Sequence, residues 1–430
     1  MPLLLVRSSA WSGGSVRPPR CALPLTCLVA ILGLFSAACG DDTSTGGSGA
    51  GGEHAGGNGQ GGSSNGGSPN GGAPNGGAAN GGGGAANEGG AGGLETGGMG
   101  GTSTGGQGGG SAMPAGWLLT KPGDNKVYVS DGASESVWVG RGVNVDDMFL
   151  CGYNYGFWMS NPGGDQALGA VFDALVAEWH PTFLRLSLSM NSFSPVVGWT
   201  SDNAYKTAMT NIIKGLGAHP NTYVLVTLRS DTTMVEPNGG SCGQGDDAIC
   251  LPSNATDDVY RALVTTFKDD AFVLFGIANE PGGLSSTDSD IRSRMDHAVS
   301  VIRAEEDQLG VPHHIVSVQG NQWTSKIGFY DNDPLPYDNV VYEYHSYPPT
   351  SAGYTMSNIP VIIGEYGPLN GDTSFASSFY NDVEAKSIPN LAWSLSPYSN
   401  CAPDLTQVTY DDSLTTTAWG QVVRTYLQSH

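Results

Sequence analysis

The chain has 430 residues, with 40 acidic against 18 basic side chains and a formal net charge of −22 at pH 7. Of its 65 glycines, 34 lie within residues 40–114, and the remainder is long enough for one enzyme-sized domain, which rules out a small binding module. The acidic balance argues against a nucleic-acid partner, because contacts to phosphates require clustered Lys and Arg.

The first predicted element is an export signal over residues 1–39. Three arginines precede an apolar run at 22–38, which is too short for a stable membrane span. Basic residues followed by an apolar run and small residues are typical of a secretory signal. The run ends in Ser-Ala-Ala followed by Cys39, which resembles the bacterial lipobox with Ser36 in place of its usual Leu. We therefore expect Cys39 to be lipidated after cleavage, with ordinary cleavage near Ala38 as the alternative. In either case we expect an extracytoplasmic protein, secreted or lipid-anchored on the bacterial cell envelope.

The second predicted element is a disordered Gly/Ser/Asn-rich linker over residues 40–114. This stretch contains no Lys, Arg, Ile, Val, Phe, Tyr or Trp, so it cannot bury enough apolar surface to offset the entropy of ordering it. A glycine-rich coil of this length has an r.m.s. reach of roughly 50 Å. We expect it to act as a tether for the folded domain that follows.

Residues 115–430 form the predicted catalytic domain, in which short β-rich apolar runs alternate with segments of helical period such as 209–216. The runs are apolar throughout instead of alternating, which indicates strands covered on both faces. Eight strand–helix units in this length favour a closed (β/α)₈ TIM barrel of the α/β class over an open doubly wound sheet. After an opening hairpin at 126–129 and 137–139, the predicted barrel strands are 141–145, 183–188, 223–228, 272–281, 314–320, 339–347, 360–367 and 391–397.

Polar side chains close several of these apolar strands. Each has an ordinary structural explanation when taken singly: a solvated turn, a hydrogen-bonded histidine or a packed tryptophan. Active sites of barrels form at the C-terminal ends of the strands, where an ionisable group is costly unless it is paired or used. Their recurrence on separate strands therefore predicts one cavity. The residues are Arg185 in the second strand, Asn279 and Glu280 ending the fourth, His345 and Tyr347 ending the sixth, Glu365 ending the seventh and Trp393 in the eighth.

With these residues in this order, residues 139–397 resemble glycoside hydrolase family 5, the cellulase family of the (β/α)₈ clan that cleaves β-glycosidic bonds with retention. The resemblance implies that Glu280 is the acid/base, that Glu365 is the nucleophile, and that the other residues bind substrate and tune those two. It implies neither a metal nor a cofactor. The motifs that carry it are FLRLSL with Arg185, ANEP with Asn279 and Glu280, YHSY with His345 and Tyr347, IGEYG with Glu365, and LAWS with Trp393.

The chain departs from the family at the end of the third barrel strand. The family usually has a His there that lines the substrate cleft, whereas this chain has Arg229 in the segment VLVTLRSD. We expect Arg229 to occupy that place and to contact substrate. A cation there changes the hydrogen bonding near the sugar and favours an unusual or charged substrate.

The chemistry of glycoside cleavage independently supports two glutamates. The bond breaks through an oxocarbenium-like transition state, which needs an acid for the leaving oxygen and a carboxylate for the anomeric carbon. In retaining enzymes the two carboxyl groups lie about 5–5.5 Å apart. A nearby Arg185 would favour the ionised form of Glu365, while limited solvation and the charge of Glu365 would favour a protonated Glu280.

Aromatic side chains in the predicted C-terminal loops are candidates for stacking on sugar rings. Trp393 is the first candidate for this platform, followed by Trp323 and Trp158, and some of the set are expected to belong to the core. The remaining aromatic residues in or near these loops are Tyr153, Tyr155, Trp199 and Tyr366.

Four cysteines remain after the signal segment. An even number in an exported chain favours two disulfides in one of three pairings, with four free thiols as the alternative. Cys242 and Cys250 are eight residues apart in a Gly-rich loop, where a local bridge is plausible and would leave Cys151 with Cys401. That second pairing suits a barrel, because the loops after the first and eighth strands are neighbours where the barrel closes. Zinc is disfavoured, because no His lies near these cysteines at a ligand spacing.

Together these features predict a metal-independent, endo-acting, retaining β-glycosidase that hydrolyses a β-1,4-linked polysaccharide, cellulose or β-glucan first and mannan next. We expect a monomer whose partner is a polysaccharide or oligosaccharide and whose contact with a membrane is limited to the lipid anchor. Two alternatives stay open: a non-catalytic glycan-binding barrel and an exo-acting glycosidase. A metal-dependent hydrolase is disfavoured, because no strand end carries a closely spaced pair of histidines.

Overall fold

The computed structural model describes residues 113–145, 164–188, 199–229, 232–242, 249–395, 405–407 and 413–430. The export signal and the linker lie outside the described residues, and the three-part domain division therefore stays a prediction. The same holds for lipidation of Cys39, the pairing of Cys151 with Cys401, and the stacking candidates Tyr153, Tyr155 and Trp158.

Eight parallel strands close into a barrel in chain order, with the last strand beside the first. This arrangement confirms the predicted (β/α)₈ fold. The strands of the barrel are β4 (Arg141–Val145), β5 (Phe183–Leu188), β6 (Tyr223–Leu228), β7 (Val273–Gly276), β8 (Val316–Gln319), β9 (Val340–Ser346), β10 (Val361–Tyr366) and β11 (Asn390–Leu395).

Helices follow the strands. The α-helices are α1 (Gly164–Trp179), α2 (Ala204–Gly217), α3 (Asp257–Phe267), α4 (Asp288–Leu309), α5 (Phe329–Asn332), α6 (Ser351–Tyr354), α7 (Ala376–Lys386) and α8 (Ala418–Gln428), and a 3₁₀ turn at Asn254–Thr256 precedes α3. None of the helices within the described residues has both the length and the hydropathy that crossing a bilayer requires.

The longest of these helices, α4, has a clear sequence basis at both ends. Thr287 and Asp290 form a capping box, in which each side chain accepts a hydrogen bond from the backbone of the other residue. The helix stops at Gly310, whose φ of 66° lies in the left-handed region that favours glycine. Between these ends, Ile291, Met295 and other apolar residues three or four positions apart are buried against the barrel.

A small antiparallel sheet precedes the barrel and consists of β1 (Leu118–Thr120), β2 (Val127–Ser130) and β3 (Glu135–Val137) in that order. The sequence predicts only a hairpin here and misses β1, which has just three residues. Leu118, Val127 and Trp138 pack in one apolar cluster with the first residues of barrel strands, including Phe183. The sheet therefore covers the N-terminal end of the barrel.

The interior of the barrel changes from apolar to polar along the strands. Leu225, Leu274 and Ile362 belong to the apolar cluster at the N-terminal end. Further along, Asn144 and Arg185 are fully buried and lie opposite each other on β4 and β5. Polar side chains that are buried without solvent need partners in the protein, and those partners form the site described next.

Candidate active site

The two glutamates meet at the C-terminal end of the barrel. Glu365 is the fifth residue of β10 and its side chain is 5% exposed, whereas the Glu280 side chain is 25% exposed. A carboxylate oxygen of each lies within 4.8 Å of the other and of Nδ1 of His345. The predicted fourth strand ran to residue 281, but β7 ends at Gly276. Glu280 therefore belongs to the following loop instead of closing the strand.

Arg185 connects the residues around Glu365. Its Nη1 donates to Oε1 of Glu365 at 2.8 Å and to Oδ1 of Asn144 at 2.9 Å, and its Nη2 donates to Oδ1 of Asn279 at 2.7 Å. Its Nε lies 2.8 Å from Oε1 of Glu343 in an ion pair. A fully buried guanidinium is tolerated because each side of it meets a carboxylate or amide oxygen.

Asn279 is oriented by this contact. Because its side-chain oxygen accepts from Arg185, its amide NH₂ group is turned elsewhere, and that group donates to none of the described residues. Asn279 is only partly buried and lies directly before Glu280. Its amide is therefore in a position to donate to a hydroxyl of a bound sugar.

Tyr347 holds the second oxygen of Glu365. Its hydroxyl donates to Oε2 of Glu365 at 2.7 Å, while 36% of the residue is exposed. Burial of the hydroxyl and the negative charge of Glu365 raise the pKa of Tyr347 well above 10. The hydroxyl therefore keeps its proton and remains a donor at any physiological pH.

His345 bridges Glu280 and a third carboxylate. Its Nδ1 lies 2.9 Å from Oε1 of Glu280 and 3.6 Å from Oε1 of Glu365, and its Nε2 lies 2.8 Å from Oε1 of Glu343. Burial alone would lower the pKa of His345, but the charge of Glu365 and the hydrogen bonds to Glu280 and Glu343 outweigh burial and raise it to about 9. The surrounding carboxylates therefore favour the protonated form of the ring.

Glu343 is a site residue that the sequence analysis missed. Burial alone would raise its pKa, but the charge of Arg185 and the hydrogen bond from His345 outweigh burial and lower it to about 2. The signal that could have identified it is the alternation of β9, in which residues two apart share a face. Glu343 therefore shares the inward face of His345.

A second set of missed residues holds the backbone of Glu280. The backbone N–H of Glu280 donates to Oε1 of Gln319 at 2.5 Å, and the hydroxyl of Thr324 donates to the same oxygen at 2.9 Å. Glu280 has a φ of 48°, an uncommon left-handed conformation for a residue with a side chain. Such a conformation persists where surrounding contacts fix it, and it is frequent at functional sites.

The aromatic candidates separate into exposed and buried residues. Trp323 is 45% exposed in the loop after β8, and Trp393 is partly buried in β11, where its carbonyl accepts from Nε1 of Trp419 at 3.1 Å. Trp199 and Tyr366 are fully buried. These two are core residues and offer no face to a sugar.

Arg229 directly follows β6, the third barrel strand, so it occupies the C-terminal end of the barrel. Its backbone N–H donates to the carbonyl of Leu188 at 3.1 Å, and the residue is 5% exposed. Contact between Arg229 and a substrate stays a prediction.

The loop after β6 carries the predicted local disulfide. Cys242 and Cys250 are bonded, with their Cα atoms 5.7 Å apart. Short antiparallel bridges of Val235 with Ser241 and with Leu251 hold the two sides of the loop together.

Glu280, His345 and Glu365 are also the one group of three metal-ligating side chains that converges within the described part of the chain. A metal needs a neutral imidazole nitrogen. Here both nitrogens of His345 face carboxylate oxygens at hydrogen-bond distance, and these carboxylates raise the pKa of the ring and favour its protonated form. The group is therefore suited to holding a proton rather than a metal ion.

Comparison with known proteins identifies a family for most of the barrel domain. Residues 140–399 match the family model of cellulases, glycosyl hydrolase family 5. Among curated proteins, the chain is 29% identical over 121 residues to Endoglucanase A of Butyrivibrio fibrisolvens, which covers 26% of each chain. It is 23% identical over 228 residues to Endoglucanase CelA of Streptomyces lividans, which covers 50% of this chain and 43% of that relative. The matches thus cover 26% and 43% of the length of these two relatives.

Solved structures share the fold of the barrel domain. The catalytic domain of an endoglucanase from Thermobifida fusca is 18% identical with a TM-score of 0.53, covering 72% of this chain and 97% of that chain. A beta-glucanase from Saccharophagus degradans, solved in complex with cellotetraose, is 16% identical with a TM-score of 0.55, covering 74% and 95%.

Proposed function

The chain belongs to the cellulase family, glycosyl hydrolase family 5, and from this premise we propose that it is an extracytoplasmic, endo-acting glycoside hydrolase that cleaves β-1,4-linked glucan with retention. In this proposal Glu365 is the nucleophile and Glu280 is the acid/base. Mannan is the next substrate to be considered.

The observation that carries the proposal is the difference between the two glutamates. Arg185 and Tyr347 donate to the two oxygens of Glu365, one to each, which suits a carboxylate that attacks as an anion. Glu280 is the more exposed of the pair and contacts His345, which suits a group that exchanges a proton with a ligand.

The distance between the glutamates supports retention. Oxygens of the two side chains lie within 4.8 Å of each other. Retaining enzymes hold their carboxyl groups about 5–5.5 Å apart, whereas inverting enzymes need about 6.5–9.5 Å to admit a water molecule. The shorter spacing favours direct attack by Glu365.

The proposed reaction has two steps. In the first, Glu365 bonds to the anomeric carbon while Glu280 gives its proton to the leaving glycosidic oxygen. In the second, Glu280 takes a proton from water, and the resulting hydroxide displaces Glu365 from the anomeric carbon. Asn279 donates from its amide to the sugar 2-hydroxyl while charge develops at the neighbouring carbon.

The glucan assignment rests on similarity to named endoglucanases and on an exposed aromatic side chain at the C-terminal end of the barrel. Both curated relatives described above are named endoglucanases, and the Saccharophagus degradans structure contains cellotetraose. Trp323 presents an exposed aromatic surface in the loop after β8, where the C–H face of a glucose ring could pack. The secretory signal pattern and Cys39 support an extracytoplasmic, lipid-anchored location.

A polysaccharide panel with chromatographic product analysis tests the proposal. We expect the parent to release cello-oligosaccharides early from β-1,4-glucan, and proton NMR of the first product to show the β-anomer. Glu280→Ala and Glu365→Ala should each lower kcat/KM at least about 1,000-fold. Glu306→Gln is a matched control, because it alters a buried carboxylate at the other end of the barrel, where Glu306 pairs with Arg303 and His314.

Other outcomes assign the chain to one of the alternatives. Release of monosaccharide alone from the start would identify an exo-acting enzyme. Binding of glucan with no product from the parent would identify a glycan-binding barrel, the possibility raised by Arg229 in place of the family's His. Unchanged hydrolysis by both glutamate variants would refute the mechanism.

A further inference from the structure

A third carboxylate lies beneath the two glutamates of the proposed reaction. Glu343 is fully buried inside the barrel, so it cannot touch a sugar. Its Oε1 lies 2.8 Å from Nε of Arg185 and 2.8 Å from Nε2 of His345, and its Oε2 accepts from the hydroxyl of Ser317 at 2.7 Å. Its two oxygens are thus held by residues of three strands, Arg185 of β5, Ser317 of β8 and His345 of β9.

The neighbouring strand leaves space for this carboxylate. At Gly364 on β10, a Cβ atom would lie 2.0 Å from Oε1 of Glu343 and 2.4 Å from its Cγ. Any side chain at position 364 would displace Glu343 or the strand. The barrel interior is therefore shaped around the Glu343 side chain.

The position of Glu343 determines which nitrogen of His345 carries a fixed proton. An ionised Glu343 can only accept, so Nε2 of His345 must donate to it. The other nitrogen, Nδ1, faces Glu280 at 2.9 Å. One proton therefore lies between Nδ1 and Glu280: either the imidazolium donates to the Glu280 carboxylate, or the Glu280 acid donates to a neutral ring.

We propose that Glu343 is a positioning residue that holds His345 in the form needed to keep this shared proton available for the leaving glycosidic oxygen. The inference rests on the proposed function, since it concerns the acid step at the same site. When the proton passes to the leaving oxygen, Glu280 becomes a carboxylate and His345 is neutral with its proton on Nε2. In the second step the attacking water returns one proton, which Glu280 and His345 share again.

The charge of Glu343 stabilises the protonated pair. Neutralising Glu343 removes one negative charge in contact with the His345 ring, and the ring should then lose its proton at lower pH. The charged and titratable groups that face His345 and Glu343 are Arg185 from β5, Glu280 from the loop after β7, Tyr347 from the loop after β9, and Glu365 from β10.

The first test is the pH dependence of hydrolysis by Glu343→Gln, which keeps the shape of the side chain and removes its charge. We expect the alkaline limb of kcat/KM on β-1,4-glucan to move to lower pH by at least about one unit, which is a tenfold change in the acid dissociation constant. The loss in rate should be smaller for an aryl cellobioside with a dinitrophenolate leaving group, because that group departs without a proton.

Matched variants separate this role from loss of structure. Glu306→Gln removes the charge of another buried carboxylate paired with an arginine and a histidine, and its pH profile should equal that of the parent. Glu343→Asp retains the charge and should restore part of the alkaline limb. Gly364→Ala retains Glu343 but displaces it, so its alkaline limb should move in the same direction as that of Glu343→Gln.

A second measurement does not depend on activity. Nitrogen-15 NMR of the histidine rings, with the His345 signal assigned by its absence in His345→Asn, follows the protonation of His345 directly. We expect it to titrate at least one pH unit lower in Glu343→Gln than in the parent. An unchanged His345 titration in folded Glu343→Gln would overturn the inference, and if that variant does not fold, an unchanged titration in Gly364→Ala would do so. Absence of product from the parent on every polysaccharide would instead refute the proposed function.

Discussion

Tyr347 and Arg185 give Glu365 a fixed orientation, since each donates to a different oxygen of the same carboxylate. A carboxylate held at both oxygens cannot rotate away from an attacking position. Holding a reacting group in its attacking orientation lowers the entropic cost of reaching the transition state and changes substrate binding less. The hydroxyl of Tyr347 can therefore be tested apart from its ring.

We expect Tyr347→Phe to lower kcat on β-1,4-glucan by about 10–100-fold with a much smaller change in KM. The variant keeps the ring and removes only the donor to Glu365. Steady-state kinetics check this, with Tyr354→Phe as the control, because the Tyr354 hydroxyl donates to Asp382, a residue outside the site. An equal loss in both variants would point to a general effect of removing a buried hydroxyl.

The free energy of unfolding should fall at alkaline pH, because His345 then loses its proton. Its pKa is about 9 in the folded protein and about 6.5 in an unfolded chain. Its contribution to the free energy of unfolding is therefore fully present below about pH 6.5 and is lost as pH rises through about 9. We expect a loss on the order of 1–3 kcal/mol between these values.

Urea unfolding of the parent and of His345→Asn, measured from pH 6 to 9.5, checks this expectation. The difference in the free energy of unfolding between the two proteins should shrink as pH rises. A difference that stays constant across the range would mean that the ring is neutral in the folded protein.

The two glutamates that follow apolar runs could be identified from the sequence, and the buried polar residues beneath them could not. Glu280 and Glu365 follow apolar runs, so their polarity is conspicuous. Glu343 lies inside β9 and Gln319 is the last residue of β8, and both are fully buried among apolar neighbours, where a single polar residue can be paired, solvated or at an edge. Only the closed barrel shows that Glu343 meets Arg185 from a strand 158 positions away in the chain, because that contact depends on side chains crossing the interior.

At the scale of elements, the loop after β8 has an unusual backbone. Gln322, Trp323 and Thr324 all have φ between 52° and 61°. The loop is fixed by the hydroxyl of Thr324, which donates to Gln319, and by the bridge between Asn321 and Lys326. A run of left-handed residues held in this way presents Trp323 to solvent without freedom to fold back.

We expect Trp323→Ala to raise KM for cello-oligosaccharides about tenfold and to leave kcat nearly unchanged, because stacking on a sugar ring acts equally on the bound substrate and the transition state. Kinetics on oligosaccharides of increasing length check this. Leu309→Ala is the control, since Leu309 is an exposed apolar residue at the end of α4, away from the mouth. A fall in kcat without a change in KM would place Trp323 in a different role.

Strand existence was predictable, whereas strand ends were not. Ile277 and Ala278 are as deeply buried as the residues of β7, so their apolar character extends the predicted strand beyond its real end at Gly276. The opposite error occurs at β1, whose three residues are too few to form a recognisable period. Hydrophobicity reports burial, and the end of a hydrogen-bonded ladder leaves no separate mark in the sequence.

At the scale of the whole molecule, the closed barrel follows from repetition of strand and helix, because eight such units of this length have few other ways to cover both faces of a parallel sheet. The three-stranded sheet at the N-terminal end could not be foreseen as a cover for the barrel. Its role depends on Leu118, Val127 and Trp138 packing against strand starts that are distant in the chain.

The proposed lipid anchor is tested on the full chain. We expect Cys39→Ser expressed in a bacterial host to move from the membrane fraction to the soluble or secreted fraction, because the side chain that would carry the lipid is removed. Fractionation with immunodetection checks this, and Cys27→Ser, inside the apolar run of the signal, is the control. The same distribution for the parent and both variants would exclude lipidation at Cys39.

The small sheet at the base also fixes where the chain enters the barrel. The carbonyl of Gly116 accepts from the hydroxyl of Tyr223, the first residue of β6, so the described chain begins beside the strand starts. A fusion partner or a solid support attached ahead of residue 113 would thus join on the side opposite the cleft. Immobilisation through that end should leave the approach of an insoluble polymer unobstructed.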